Sequence, residues 1–181
     1  MNKAVLVTGV SASGKSFLCE ELSRLGYRSY DIEEIDGLFN MVSKATGKIT
    51  DWKDYDKHNL ECVKQHDWTC DKRKLQDIIR KNGKDAVLGN IVFYCGTASN
   101  TDELLPLFDK VILLKASEET TRRRLSTRKS NDFGRNEEVK NWVFEWKEWW
   151  ENHMVEKGAS IVDADQDIKK VAQDVLNIAL K

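Results

Sequence analysis

A glycine-rich segment near the start of the chain has the residue types and spacing that bind a polyphosphate. Residues 9–16 read Gly-Val-Ser-Ala-Ser-Gly-Lys-Ser, a complete G-x-x-x-x-G-K-[ST] pattern. Glycines let the backbone adopt positive φ angles and bring its N–H groups close to phosphate oxygens. We expect Lys15 to reach the β- and γ-phosphates of ATP and the Ser16 hydroxyl to bind Mg²⁺. The predicted ATP-binding residues are Gly9, Ser11, Ala12, Ser13, Gly14, Lys15, Ser16 and Phe17.

Acidic residues follow the second apolar segment of the chain, at Asp31, Glu33, Glu34 and Asp36. The carboxyl end of a strand faces the ligand crevice in a doubly wound sheet. A carboxylate at that end can bind a metal ion or orient an acceptor group. We predict that Asp31 is the metal ligand or the catalytic base, with Asp36 as the second choice. The alternative is that these acids only cap the next helix.

A basic segment, residues 124–135, contains Arg124, Arg128 and Arg135. A transferring phosphoryl group spreads negative charge, which a mobile cationic segment can neutralise while it excludes water. We therefore predict that Arg128 and Arg135 act on the nucleotide phosphates or base. The alternative is a solvated basic helix end, where Arg and Lys interact favourably with the helix dipole.

These residues need a scaffold, and the apolar pattern predicts one in which strands and helices alternate. Strands are expected near residues 4–7, 27–31, 86–94, 110–114 and 160–163. Helices are expected at 15–25, at 71–83 with Asp71 as the cap, after Ser117, through the tryptophan-rich segment 141–153 and at the C-terminal end. Five apolar strands joined by helices predict an α/β fold with a five-stranded parallel sheet and helices on both faces. Residues 36–84 are expected to be mostly helical.

Length and composition limit the class of protein. The 181 residues suit one domain, 1–181, and the net charge of −1 argues against general binding of nucleic acid or membrane. The apolar runs are far shorter than the ~20 residues that span a bilayer. Four scattered cysteines and no recognisable export signal lead us to expect reduced thiols and a cytoplasmic protein.

One spacing of histidines and cysteines could suggest a metal site. His58, Cys62, His66 and Cys70 are four residues apart. On one straight helix they would span about 18 Å, whereas a zinc ligand lies about 2 Å from its metal. We therefore interpret them as packing residues.

The layout resembles the small P-loop kinases, which include nucleoside monophosphate kinases, shikimate kinases and gluconate kinases. The resemblance rests on residues 9–16 and on the basic segment after the fourth strand. It implies a three-layer P-loop fold with a small acceptor-binding lobe at 36–84 and an arginine lid at 128–136. By that resemblance Arg128 packs on the adenine, Arg135 closes over the phosphates, and Arg124 assists. The resemblance also implies that residues 163–165 pass the adenine edge.

The acceptor side departs from the nucleoside monophosphate kinase pattern. No arginine occurs between Ser29 and Lys72, and Gly89-Asn90-Ile91-Val92-Phe93 stands where those kinases carry an Asp-Gly-aromatic-Pro-Arg run. Lysines 44, 48 and 53, or Arg73, could substitute, although lysine lacks the bidentate fork of arginine. Asn90 and the turn at 96–100 could face the acceptor or the metal. Aromatic residues could stack on the acceptor or pack inside the lobe: Trp52, Tyr55 and Trp68.

The tryptophan-rich segment predicts one aromatic helix face. Trp142, Trp146, Trp149 and His153 follow helical spacing. We expect this stripe to pack on the sheet or the lobe, with contact between two copies of the chain as the alternative.

These observations lead us to expect a kinase that transfers the γ-phosphate of Mg-ATP to a small-molecule acceptor. One alternative is a nucleoside or nucleoside monophosphate kinase with lysine-based acceptor contacts. Another is a regulatory module that binds ATP without transfer. A guanine-reading N-K-x-D segment is missing, and so are the adjacent acids that end the Walker-B strand of an AAA-type motor. A nucleic-acid end kinase is disfavoured by the balanced charge.

Overall fold

A five-stranded parallel sheet forms the centre of the molecule. The computed structural model of the chain describes residues 2–85, 87–127, 129 and 131–181. The sheet has the order β2-β5-β1-β6-β7. Its strands are β1 (Lys3–Thr8), β2 (Arg28–Asp31), β5 (Ile91–Cys95), β6 (Lys110–Lys115) and β7 (Ser160–Asp163). The α/β fold with this sheet is confirmed.

Helices cover both faces of the sheet, and successive side chains of a strand pack on opposite faces. The helices are α1 (Lys15–Arg24), α2 (Leu60–Lys64), α3 (Lys72–Asn82), α4 (Thr101–Leu104), α5 (Glu118–Thr127), α6 (Glu137–Glu156) and α7 (Ile168–Ala179). Phe93 packs with α1 and α7 on one face, whereas Tyr94 packs with α3 and α4 on the other. This period of two is expected of strands that are buried on both sides. Within the described ranges, no helix has the length and apolar content to cross a bilayer.

The strand register brings the carboxyl ends of three strands to one edge of the sheet. Val7 of β1 pairs with Cys95 of β5, which also pairs with Asp31 of β2. The loops that follow β1, β2 and β5 therefore begin side by side. This edge of the sheet holds the candidate active site.

The segment 36–84 differs from the mostly helical lobe that we expected. Besides α2 and α3, it contains an antiparallel pair, β3 (Phe39–Ser43) and β4 (His66–Cys70). The strands pair across a long connection, so no local sequence pattern signals the pairing. Cys62 lies on α2 while His66 lies on β4, so the suspected single helix does not exist. Asp71 caps α3 as predicted, through hydrogen bonds from the backbone N–H groups of residues 73 and 74.

Asn90 lies at the amino end of β5, whereas the site lies at the carboxyl ends of the strands. It belongs to a short 3₁₀ turn, Leu88–Asn90, that precedes β5. The structure therefore does not bring Asn90 to the acceptor side, contrary to the expectation that it could face the acceptor or the metal. The apolar pattern alone did not locate the start of β5, and the strand begins one residue after Asn90.

Helix α6 buries a different face from the tryptophan stripe. Its buried apolar residues are Val139, Val143, Trp150 and Met154. Trp146 is partly buried against a cluster that contains Trp150 and Met154, while Trp149 is 65% exposed and stacks on His153 with ring centroids 5.4 Å apart. The packing prediction therefore holds for only part of the stripe. A contact between two copies through the exposed Trp149 ring stays a prediction.

Candidate active site

The phosphate-binding loop connects β1 to α1 and has the backbone that its glycines predict. Gly14, the N-cap of α1, has φ 106°, and Ala12 also has a positive φ of 65°. For a non-glycine residue that conformation costs about 1–2 kcal/mol. At Gly9, a Cβ atom would lie 2.4 Å from Ser13 Oγ and 2.7 Å from the Leu114 carbonyl oxygen. Only glycine fits this position without moving the loop.

Lys15 lies against the loop that precedes it. Its Nζ donates hydrogen bonds to the carbonyl oxygens of Gly9 at 2.9 Å and Val10 at 3.4 Å. The same Nζ is 3.7 Å from Oε1 of Glu33, and the Lys15 side chain is only 11% exposed. A poorly solvated ammonium group held in this way offers strong electrostatic attraction to a phosphate.

Glu33 is the acid that faces Lys15, and two hydrogen bonds fix its carboxylate. Oε1 accepts a hydrogen bond from the Thr97 backbone N–H at 2.9 Å. Oε2 accepts one from the indole Nε1 of Trp68 at 3.2 Å. Glu33 is therefore the carboxylate that faces Lys15, whereas Asp31 and Asp36 are the ones that the sequence favours. The contact with Lys15 depends on these two distant donors, so the sequence pattern gave no signal for it.

Asp31 ends β2 as predicted, and its carboxylate caps the following turn. Oδ1 accepts a hydrogen bond from the Glu33 backbone N–H at 3.3 Å. The capping alternative therefore describes a contact that Asp31 makes. Capping orients Glu33 toward Lys15 because it fixes the turn at 32–34 that carries the Glu33 side chain. Asp36 lies further along and is exposed.

Thr97 connects the turn after β5 to the phosphate-binding loop. Its Oγ1 donates a hydrogen bond to the Gly9 carbonyl oxygen at 2.6 Å and lies 2.9 Å from Thr8 Oγ1. Its backbone N–H binds Glu33. Thr97 therefore holds the loop and the acid in one arrangement. Thr97 lies in the turn at 96–100 that the sequence indicates, but no local pattern marks this residue within the turn.

Arg124 of α5 binds the opposite side of the phosphate-binding loop. Its Nη1 donates to the Ser13 carbonyl oxygen at 3.1 Å, and its Nη2 donates to the Ala164 carbonyl oxygen at 2.8 Å. Burial lowers the pKa of the Arg124 guanidinium, and the Asp165 carboxylate opposes that shift. Arg124 thus joins the loop to the segment after β7, where the resemblance implies the adenine edge.

Of the two arginines predicted to act in the lid, the structure describes one. Arg128 lies outside the described residues. Arg135 is exposed in the loop between α5 and α6, and its backbone N–H donates to the Asp132 carbonyl oxygen at 3.1 Å. Asp132 forms an ion pair with Lys57, and its Oδ2 lies 3.1 Å from Nε2 of His58. The candidate lid therefore contacts the segment that connects β3 to α2.

Oxygen donors near the loop suit magnesium better than a softer metal. Mg²⁺ keeps several waters and takes one or two carboxylates together with substrate phosphates. The Ser16 hydroxyl is exposed in the first turn of α1, and the Asp31 carboxylate is half-buried at the end of β2. Across the described part of the chain, no cluster of three or more His, Cys, Asp or Glu side chains could hold a metal ion. One hydroxyl and one carboxylate fit Mg²⁺ bound mainly through a nucleotide.

Comparison with known proteins places the chain among P-loop proteins. The sequence profile of a family described as an AAA domain matches residues 5–143. Among the curated proteins, none matches the chain. The adjacent Walker-B acids of an AAA-type motor are still missing, because β5 is followed by Gly96-Thr97 and β6 ends in Leu114-Lys115.

Solved structures of small kinases share the fold. A deoxyadenosine kinase from M. mycoides with the products dCMP and dCDP bound is 19% identical, with a TM-score of 0.54 over 97% of each chain. A shikimate kinase from Aquifex aeolicus vf5 is 18% identical, with a TM-score of 0.52 over 97% of this chain and 94% of that one. A shikimate kinase from Bacteroides thetaiotaomicron is 15% identical, with a TM-score of 0.54 over 98% of both chains. The fold is therefore that of the small P-loop kinases, as the resemblance implied.

Proposed function

The chain belongs to the AAA domain family, and we propose that it is a kinase that transfers the γ-phosphate of Mg-ATP to a small-molecule acceptor. The observation that carries this proposal is the 3.7 Å approach of Lys15 Nζ to Glu33 Oε1. This approach places a phosphate-binding cation beside a carboxylate that also contacts the lobe at 36–84. A protein that only binds ATP needs the cation but has no need of the acid.

On the nucleotide side, the loop and its lysine hold the phosphates. Backbone N–H groups of residues 9–14 and the N-terminal end of α1 bind the phosphate oxygens. Lys15 moves from the loop carbonyls to the β- and γ-phosphates, where it neutralises charge in the transition state. Arg124 keeps the loop in place, while Arg128 and Arg135 close over the nucleotide. Ser16 and Asp31 would hold Mg²⁺, which would supply positive charge to the phosphates when bound.

On the acceptor side, Glu33 positions the attacking hydroxyl group. The acceptor oxygen forms a bond to the γ-phosphorus as the bond to the β–γ bridging oxygen breaks. The hydroxyl proton passes to the Glu33 carboxylate, and ADP leaves with the electrons of the broken bond. Hydrogen bonds from Thr97 and Trp68 hold the carboxylate in line for this step.

Turnover with a panel of candidate acceptors tests this proposal directly. ADP release from Mg-ATP is measured by a coupled assay with nucleosides, nucleoside monophosphates, shikimate-like acids and sugars. We expect one acceptor class to stimulate ADP release, and Lys15→Ala to lower that rate by on the order of 10²–10³-fold. Lys169→Ala, at an exposed position of α7, is the matched control and should leave the rate unchanged. An unstimulated rate across the panel together with measurable ATP binding would support the regulatory module instead.

A further inference from the structure

Aromatic rings line the lobe on the acceptor side of Glu33. Trp68 of β4 stacks on Phe39 of β3, with ring centroids 5.1 Å apart. Trp52 lies against the same indole at 5.6 Å, and Tyr55 lies against Trp52 at 5.9 Å. Aromatic rings at these separations attract one another beyond the effect of their burial. The rings therefore form one continuous group, which we call the aromatic wall: Phe39, Trp52, Tyr55 and Trp68.

The aromatic wall reaches the reacting groups. The Trp68 indole N–H binds Glu33 Oε2 at 3.2 Å, and Glu33 Oε1 is 3.7 Å from Lys15 Nζ. A molecule whose hydroxyl group meets Glu33 would therefore have the remainder of its structure beside Trp68 and Trp52. The wall and the acid are parts of one site.

The outer ring of the wall is open to a ligand. Trp52 is 61% exposed although it contacts Trp68 and Tyr55. A tryptophan that only served to pack the lobe would bury most of its large apolar surface. The exposed indole can instead stack on a planar ring, and such stacking contributes roughly 1–3 kcal/mol per ring in nucleic-acid recognition.

Three lysines of the lobe are engaged in contacts that an anionic acceptor would have to break. Lys44 Nζ donates to the Lys64 carbonyl oxygen at 2.8 Å and lies 3.6 Å from Asp67. Lys53 is 3.8 Å from Asp51, and Lys57 is paired with Asp132. Because these lysines are already engaged, a phosphate or carboxylate on the acceptor would have to break existing contacts.

Three further features of the site favour a neutral acceptor. Lys74 Nζ donates to the Gly37 carbonyl oxygen at 2.9 Å, so this lysine is engaged as well. No arginine occurs between residues 29 and 72 to bind an anion with a bidentate fork. Glu33 itself would repel a negative charge placed beside it.

From this arrangement we infer that the acceptor is an uncharged molecule with a planar ring that stacks on Trp52 and a hydroxyl group that reaches Glu33. This inference rests on the proposed kinase function and narrows it to one class of acceptor. It excludes the phosphorylated and carboxylated acceptors of the kinases that the chain resembles. A nucleoside has both required groups, whereas its 5′-monophosphate adds the charge that the lobe does not accommodate.

The test compares matched acceptors and matched tryptophan variants. The kcat and KM for ADP release are measured with purine and pyrimidine nucleosides, with their 5′-monophosphates, and with shikimate and hexoses. We expect turnover with a nucleoside and at least a tenfold lower kcat/KM with its monophosphate. Trp52→Ala should raise the KM of the acceptor roughly tenfold with little change in kcat, because stacking is lost equally from the bound substrate and the transition state.

Two further variants separate stacking from a general structural effect. Trp52→Phe keeps a ring and should retain a KM within about threefold of the wild type. Trp149→Ala removes another exposed indole, which stacks on His153 of α6 far from Glu33 in sequence, and should leave both constants unchanged.

The outcomes distinguish the inference from the function on which it rests. Efficient turnover of a monophosphate, of shikimate or of a hexose would overturn the neutral planar acceptor but support the kinase. A Trp52→Ala variant with an unchanged KM for its acceptor would do the same. If no compound stimulated ADP release from a protein that binds ATP, both the inference and the proposed function would fail.

Discussion

At the scale of single residues, two carboxylates at the end of β2, Asp31 and Glu33, have different roles. Glu33 faces Lys15 at 3.7 Å, whereas Asp31 caps the turn that carries Glu33. General base catalysis contributes about 10²–10⁴-fold. We expect Glu33→Gln to lower kcat by roughly 10²-fold or more at saturating Mg²⁺. Asp31→Asn should instead raise the Mg²⁺ concentration that gives half of the maximal rate.

A titration of activity with Mg²⁺ separates the two carboxylates. Each variant removes one charge while it keeps the size of the side chain, so the pair serves as its own control. If Asp31→Asn lowered kcat at saturating Mg²⁺ as strongly as Glu33→Gln with no change in the Mg²⁺ requirement, Asp31 would be the base, which is one of the two roles that the sequence predicts for it.

Gly9 is the glycine of the loop that has no room for a side chain. A Cβ atom there would meet Ser13 Oγ at 2.4 Å and the Leu114 carbonyl oxygen at 2.7 Å. We expect Gly9→Ala to weaken ATP binding at least tenfold in calorimetry, because the loop must shift away from its binding conformation. Gly47→Ala is the control: nothing lies within 4 Å of its added Cβ, so only the positive φ of 66° is strained. An unchanged ATP affinity for Gly9→Ala would contradict this reading of the loop.

At the scale of elements, a buried ion pair on α6 faces β6. Glu151 is 2% exposed, and its Oε1 accepts a hydrogen bond from Lys147 Nζ at 2.6 Å. Its Oε2 lies 3.6 Å from Lys115 Nζ on β6. Removing one partner leaves buried charge without compensation, so Glu151→Gln should lower the free energy of unfolding by about 3 kcal/mol.

Denaturant unfolding of two glutamate variants tests the role of this pair. Glu148→Gln makes the same chemical change at an exposed position of α6 and should alter stability by less than about 0.5 kcal/mol. Equal effects of the two changes would show that Glu151 is solvated in solution and that the pair does not fasten α6 to the sheet.

Local sequence patterns predict some of these elements but not others. The strands at 3–8 and 160–163 and the cap at Asp71 follow from local patterns, and the structure confirms them. The β3–β4 pair escaped prediction because its partners are distant in sequence. On α6, Trp150 is buried together with Val139 and Val143, whereas Trp149 is 65% exposed, so helical spacing alone did not identify the buried face.

At the scale of the whole molecule, the sheet order decides which residues meet. The register of β2, β5 and β1 brings Glu33 and Thr97 together although 64 residues separate them in the chain. The phosphate-binding loop could be read from the sequence because its chemistry lies within eight consecutive residues. The arrangement around Glu33 could not, because it depends on contacts between three separate segments.

The sheet packing makes stability sensitive to high pH. Tyr94 of β5 is buried, and its hydroxyl oxygen accepts a hydrogen bond from Asn82 Nδ2 at 3.3 Å. Burial raises the pKa of Tyr94 to about 12 from an ordinary value near 10. The folded state therefore favours the neutral phenol, so this stabilisation is complete below pH 10 and is lost as the pH rises toward 12.

Thermal unfolding between pH 8 and 11.5 tests the effect of Tyr94. We expect the wild type to lose stability above pH 10 more steeply than Tyr94→Phe, which has no phenol to ionise. Since the pKa of Tyr55 is also raised to about 12 by burial, the variant should retain part of the slope. Identical slopes in the two proteins would contradict a neutral, buried Tyr94.

The fate of the γ-phosphate tests the kinase proposal most directly. ATP labelled with ³²P at the γ position is incubated with Mg²⁺, the protein and each acceptor, and the products are separated by chromatography. We expect the label to appear on one acceptor, with a matching amount of ADP, and to stay on ATP when Lys15 is changed to alanine. Label that is released only as inorganic phosphate, or that stays on ATP with every acceptor although ATP binds, would contradict phosphoryl transfer by this protein.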